Sequence, residues 1–222
     1  MTIVIRPYEP RDKKRVLAIL VDAFEEDPYF CRTTPLAVGM GHREAIERML
    51  TADIDYEYSV HGRIDVACDN AAEDAPALGV ALWDTPDATP GRVDQVSTAG
   101  ERARIFGRNS ETVMRRSRIE DSFQPRFPHW YLFVLAVGPA AQGRGVGTAL
   151  LNHGLKRAGD EAIYLEATTP KSARLYERLG FVPLGRLPLF GSAGPNELAM
   201  WKAPRLKAPR DGERTPTEPS AD

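Results

Sequence analysis

The chain has 222 residues, enough for one core of ordinary size and short for two. Hydrophobic residues make up 42% of it, and 29 Lys and Arg stand against 31 Asp and Glu, so no basic excess exists to track a nucleic-acid backbone. No apolar run reaches the roughly 20 residues a membrane-spanning helix needs, and Met1–Pro10 lacks the basic-then-apolar order of a secretory signal. Cys31 and Cys68 are too far apart for a zinc motif or a disulfide framework. A cytoplasmic protein is therefore expected, with no metal, no membrane and no nucleic-acid partner.

"TIVIRPY" reads as a strand ending at Pro7. Asp12 is placed to cap a helix through Phe24, with Val16, Leu17, Leu20, Ala23 and Phe24 at helical spacing and Pro28 stopping it. "HREAIERML" restarts that period at Ile46, Met49 and Leu50. "GRIDVACD" and "PALGVALWDTP" read as an antiparallel hairpin. Residues 87–128 are rich in Gly, Pro and charge, with one helix predicted around 111–120; a connection this long is functional or disordered. "WYLFVLAV" is a strand. A Gly-rich turn follows, then a helix to Ala158 that Gly159 ends. "AIYLEAT" is a strand, "KSARLYERLG" a short helix, and "FVPLG" and "NELAMWK" a last pair of strands. Residues 1–202 form a single domain on this reading, and 203–222 a polar, disordered tail.

The segment "VLAVGPAAQGRGVGTALL", Val134–Leu151, carries the chemistry. A P-loop is excluded, because no Lys follows the glycines. The dinucleotide fingerprint is incomplete, because Thr148 stands where its third Gly belongs. The physics of anion binding holds without either motif: glycines let the backbone approach closely, and the first helical turn offers unpaired N–H groups and a positive dipole end. Arg144 adds a cation. The alternative is a plain strand-to-helix turn with glycines for packing.

"QGRGVG" has the pattern Q-x-x-G-x-G, and "IYLEAT" and "SARLYERLGF" follow it in order. Over Trp130–Leu184 the chain resembles the coenzyme-binding half of the GNAT family of N-acetyltransferases. Its N-terminal half, through "VDAFEEDPYF" and "GVALWDTP", looks like puromycin-type small-molecule acetyltransferases. The resemblance implies an α+β fold of α/β/α layers: a mixed, mostly antiparallel sheet flanked by helices, whose fourth and fifth strands run parallel and splay apart. It implies acetyl-CoA as acyl donor. Backbone groups of Leu135, Ala136 and Val137 would pair with the pantetheine arm. The amides of Gln142, Gly143, Arg144, Gly145, Val146, Gly147 and Thr148 would hold the pyrophosphate. Thr169, where many members have Asn, and Ser172 would complete the cofactor contacts. Tyr176 falls beside the coenzyme sulfur.

Acetyl transfer to an amine needs a neutral amine, donors for the developing oxyanion and a proton for the departing thiolate. Tyr176 would donate that proton; the alternative is an aromatic packed beside Leu175 and Phe181. Glu166, sharing a strand face with Tyr164 and Thr168, is the candidate base or else a buried structural acid. His129 reads as an exposed loop histidine, and His42, His61 and His153 show no clustering. "DAFEEDP" sets acids at a helix C-terminus, which the macrodipole disfavours. Glu25, Glu26 and Asp27 would rim an acceptor site for a cationic amine, with Trp83 and Tyr131 as walls; a solvated helix end is the alternative. The function read from sequence is an N-acetyltransferase acting on a small-molecule primary amine. Rivals are a protein or peptide amine acetyltransferase, a non-catalytic acyl-CoA sensor and a nucleotide-binding module. Oligomeric state is not encoded legibly.

Overall fold

The computed structural model describes residues 2–72, 74–88, 96–191, 194 and 196–205. Beyond Arg205 the predicted tail lies outside the described residues, as does 89–95 of the long insert. Seven strands form one sheet in the order β1-β2-β3-β4-β5-β7-β6. They are β1 (Val4–Pro7), β2 (Arg63–Cys68), β3 (Gly79–Asp84), β4 (Trp130–Val137), β5 (Ile163–Ala167), β6 (Val182–Arg186) and β7 (Leu198–Lys202). Only β4 and β5 pair in parallel among the described strands; the remaining neighbours are antiparallel. The expected mixed sheet is present, and the predicted hairpin is β2–β3.

Helices cover both faces. On one lie α1 (Lys13–Phe24) and α3 (His42–Ala52), whose apolar stripes meet Val66, Val80, Leu82 and Val134. A π-helical turn, Asp53–Tyr58, extends α3 and seats Tyr58 against Phe133, rings stacked 5.1 Å apart. On the other face lie α6 (Val146–Ala158) and α7 (Pro170–Arg178), over Trp83, Leu132, Ile163 and Leu165. Gly154 is required there, because a Cβ would collide with the Trp83 indole.

Three local readings change. Pro28 does not merely stop a helix: it is the first residue of α2 (Pro28–Thr33), with Asp27 as N-cap accepting from the amides of Tyr29 (2.9 Å) and Phe30 (3.4 Å). Asp12 precedes α1 but gives it no side-chain cap; it binds Arg6 through two 2.7 Å bonds and accepts from the Glu9 amide. The long insert holds two helices rather than one, α4 (Val96–Phe106) and α5 (Ser110–Phe123). Ile105, Phe106 and Val113 tie it into the core beside α3, so within the described residues it is a packed element.

Candidate active site

The site begins with one extra residue. Leu82 pairs with Val134 but Trp83 pairs with Leu132, so Phe133 bulges out of the β3–β4 ladder. Before the bulge, Trp130 and Leu132 point their peptide groups at β5, and Trp130 N–H donates to the Ala162 carbonyl at 2.8 Å. After it the parity reverses. Gly138 N–H donates to Leu78 O at 2.9 Å, which sets Ala136 and Val134 facing β3 and leaves Leu135 and Val137 facing the β5 side. The parallel ladder covers only Trp130–Leu132 against Ile163–Leu165, while β4 runs on to Val137 and β5 to Ala167. The two strands part there, and the Leu135 and Val137 peptide groups line the gap. Ala136, expected to join them, belongs to the β3 ladder.

The gap opens onto the glycine turn. Gly143 (φ 74°) and Gly145 (φ 81°) take left-handed conformations, and nothing lies within 4 Å of where a Cβ would stand on either. Gly145 is the N-cap of α6 and offers no side chain, so the first-turn amides of Val146, Gly147 and Thr148 have no intrahelical partner. A Cβ on Gly147 would stand 3.5 Å from the Val137 side chain and 4.0 Å from that of Leu175, so the helix start lies beside β4 and α7. Gln142 Nε2 donates to the Val137 carbonyl at 3.3 Å, and Arg144 is exposed beside the turn. This cradle suits a pyrophosphate.

Glu166 and Tyr176 approach the gap from opposite faces of the sheet. Tyr176, on α7, is buried in the α6-side cluster and packs on Phe181 at 5.9 Å. Glu166 follows Tyr164 on the other face, where Tyr131 stands in register with Tyr164. Burial pushes the Glu166 carboxyl up to about 8; the hydroxyls of Tyr131 and Tyr164 pull it back down, and Glu120 and Asp121 push it further up. Its Oε1 is fully buried without a well-formed hydrogen bond. Burial, and then the Glu166 charge, hold the Tyr176 hydroxyl well above a tyrosine's ordinary range.

The face of the sheet that carries Glu166 is covered by residues the sequence reading passed over. Tyr29 on α2 meets Phe190 edge-on at 6.1 Å, and Arg116 of α5 lies 4.5 Å over the Phe190 ring. The insert thus lies across this face, joining Ile119 to a cluster with Tyr131, Tyr164 and Trp201. Glu120 meets the Tyr29 hydroxyl, and burial drives its carboxyl upward against the opposing pull of Arg102. Glu197, just before β7, is driven well up by burial and by the charges of Glu120, Glu166 and Asp27. Amphipathic spacing in α5 and alternation in "NELAMWK" were the available signals.

Several predicted site residues sit elsewhere. Trp83 is 0% exposed beneath α6, with the Arg157 guanidinium 5.8 Å from its ring, so it is core and not an acceptor wall. Tyr131 lies with Tyr164 on the face that carries Glu166. His129 is not an exposed loop residue: it is fully buried, donates from Nδ1 to the Phe127 carbonyl at 2.7 Å, and burial lowers its pKa. Glu25 is exposed and bridged, like Asp22, by Arg43; Glu26 is exposed; only Asp27 turns inward, toward Thr168. The three acids therefore form no common rim. Thr169 and Ser172 form a reciprocal capping box on α7, with Ser172 N–H to Thr169 Oγ1 at 3.1 Å. Their hydroxyls thus have a structural task. Among the described residues no group of His, Cys, Asp or Glu is arranged to hold a metal, and no helix is long and apolar enough to cross a membrane.

Comparison with known proteins agrees with this architecture. Residues 113–181 match the Acetyltransferase (GNAT) family profile. A crystal structure from Corynebacterium glutamicum, described as histone acetyltransferase HPA2 and related acetyltransferase, is 40% identical, with 93% of this chain and 99% of that one covered and a TM-score of 0.72. Uncharacterized N-acetyltransferase C550.08 of Schizosaccharomyces pombe is 27% identical over 191 residues, 78% of this chain and 72% of that protein. The fold is shared with arylalkylamine N-acetyltransferase 2 from Aedes aegypti, at 18% identity, 91% and 99% coverage and a TM-score of 0.57. The chain belongs to the GNAT family of acetyltransferases. It is an acetyl-CoA-dependent N-acetyltransferase.

Proposed function

We propose that this enzyme acetylates a primary amine of a small cationic molecule, with Glu166 as base and Tyr176 as acid. The observation that supports the reading is the parting of β4 and β5 beyond Leu132, with Glu166 on one face of the sheet, Tyr176 on the other, and the Glu166 charge acting on the Tyr176 hydroxyl. The thioester would enter along Leu135 and Val137, with its pyrophosphate on the amides of 142–148 and its sulfur toward Tyr176. The amine would come from the other face, beneath α2 and α5.

An arriving ammonium must lose a proton before its nitrogen can attack. Glu166, buried and raised to about 8, is matched to that task near neutral pH. The neutral amine then forms a C–N bond to the acetyl carbon as the C–S bond breaks, and the second proton that the nitrogen sheds on becoming an amide replaces the one Tyr176 gives up. Tyr176 offers its proton to the leaving sulfur. While Glu166 is charged it opposes ionisation of Tyr176; once Glu166 has taken the amine's proton that opposition ends. The two groups therefore act in sequence.

A protein-amine acceptor is the second reading, favoured by the description of the Corynebacterium glutamicum relative. The insert lying over the acceptor face supports the small molecule instead. Thiol release from acetyl-CoA, measured against small amines and lysine-containing peptides, tests the choice. Turnover of peptides alone would overturn the small-molecule reading. Coenzyme binding without turnover of any amine would point to an acyl-CoA sensor.

A further inference from the structure

We propose that the acceptor is a linear diamine or polyamine, its reacting nitrogen at Glu166 and its distal ammonium held between Glu120 and Glu197. This rests on the small-amine reading above and narrows it. Glu166 stands directly opposite Ala199 in the β5–β7 ladder. Glu197, two residues before Ala199, is therefore its diagonal neighbour on the same sheet face, with Cβ atoms about 7–8 Å apart. Glu120 of α5, next in sequence to Ile119 of the cluster that holds Tyr131 and Tyr164, meets the Tyr29 hydroxyl, and its charge acts on Glu197.

Among the described residues, no lysine or arginine forms an ion pair with Glu166 or Glu197. Tyr164 is fully buried on this face and its hydroxyl, near Glu166, has no well-formed hydrogen bond. Two arginines are close. Arg102 of α4 is turned to Asp53 at 3.4 Å and opposes only the Glu120 end. Arg116 lies over Phe190, donates toward Arg32 O and Thr33 Oγ1, and like Arg102 acts on Glu120. Asp27 is committed to the α2 amides and Thr168. Glu166 and Glu197 thus share one half-buried face on which, among the described residues, neither is paired with a lysine or arginine. A monoamine would neutralise one and leave the other to stay protonated. A diamine reaches both, and Tyr29, Tyr131 and Phe190 give its cationic ends aromatic faces.

The test compares putrescine and spermidine with butylamine as acceptors of the wild-type enzyme. The expected kcat/KM for putrescine exceeds that for butylamine by roughly 10- to 100-fold, the range for hydrogen bonds to a charged group. Glu197→Gln and Glu120→Gln should each pull that ratio toward unity, chiefly through the putrescine KM. Calorimetry with acetyl-CoA confirms that each variant is folded. Putrescine binding should also release protons, read from calorimetry in buffers of different ionisation enthalpy, because the ammonium draws the raised carboxyls into their charged form. Equal turnover of butylamine and putrescine would overturn the diamine proposal while leaving amine acetylation standing. Turnover of no small amine at all would instead remove the function on which it rests.

Discussion

Leu132 stands opposite Leu165 on the last rung of the parallel ladder, and beyond that pair β4 and β5 separate. The bulge at Phe133 then turns Leu135 and Val137 toward the gap. A gap between parallel strands would normally leave backbone groups without partners, a cost comparable to a lost hydrogen bond for each. The fold bears that cost where an extended arm could take the place of a strand. On the proposed reading, donor and acceptor would enter from different faces of the sheet.

Gly145 tests the anion cradle. Ala at φ 81° costs about 1–2 kcal/mol of backbone strain, although its Cβ meets no protein atom. The Cβ would instead occupy space above the first-turn amides. Gly145→Ala should therefore lower stability modestly and weaken acetyl-CoA binding at least tenfold, about 1.4 kcal/mol. Denaturation and calorimetry on the same preparation separate the two effects. Unchanged coenzyme affinity would remove residues 142–148 from the pyrophosphate site.

Tyr176→Phe removes a hydroxyl and keeps the ring against Phe181. Turnover should fall by roughly 10² to 10⁴, the range for a lost general acid, with acetyl-CoA affinity nearly unchanged. Near-normal kcat would make Tyr176 a core aromatic only.

Glu166 links activity to stability with opposite signs. Its carboxyl sits at about 8 in the fold, well above an ordinary glutamate, so the folded state holds a proton that the unfolded chain has released. Stability therefore falls as pH rises from the ordinary glutamate range toward 8, and levels above it. Glu166→Gln should flatten that slope and make the protein more stable than wild type at pH 8, while turnover is lost. Wild-type kcat/KM should rise through the same pH window as the base form appears. A variant as active as wild type, or with the wild-type stability slope intact, would leave Glu166 a structural acid.

The sequence carried the periodicities well and the tertiary encounters poorly. Each predicted strand formed, because alternation and β-branched residues are local signals. The parallel β4–β5 pair followed from the family resemblance to "QGRGVG" and "SARLYERLGF". The bulge at Phe133 was illegible, since "WYLFVLAV" is apolar throughout and the extra residue exists only relative to β3. Trp83 was misplaced for a related reason: alternation cannot say which face of a central strand holds α6. Glu120 and Glu197 lie 77 positions apart, and the charge of one acts on the other only because the insert folds back over the sheet. Asp27 could have been read more closely, because Asp before Pro is an N-cap signature.

Asp27 separates charge from architecture at the acceptor side. As N-cap it holds the amides of Tyr29 and Phe30, and through α2 it sets the Tyr29 ring beside Phe190. Asp27→Ala should cost about 1 kcal/mol of stability and raise the acceptor KM as Tyr29 loses its seat. Asp27→Asn keeps a capping oxygen and removes the charge. If the residue acts through the cap, Asn restores both stability and KM; if it attracts the amine directly, Asn fails on KM alone. Glu25 provides the contrast. Its carboxylate is already bridged by Arg43 at the surface, where such pairs contribute little. Glu25→Gln with Glu26→Gln should leave the acceptor KM within about twofold at low and high salt. A salt-sensitive rise in KM for that pair, matching the rise for Asp27→Ala, would restore the acidic helix end as the surface that gathers the amine.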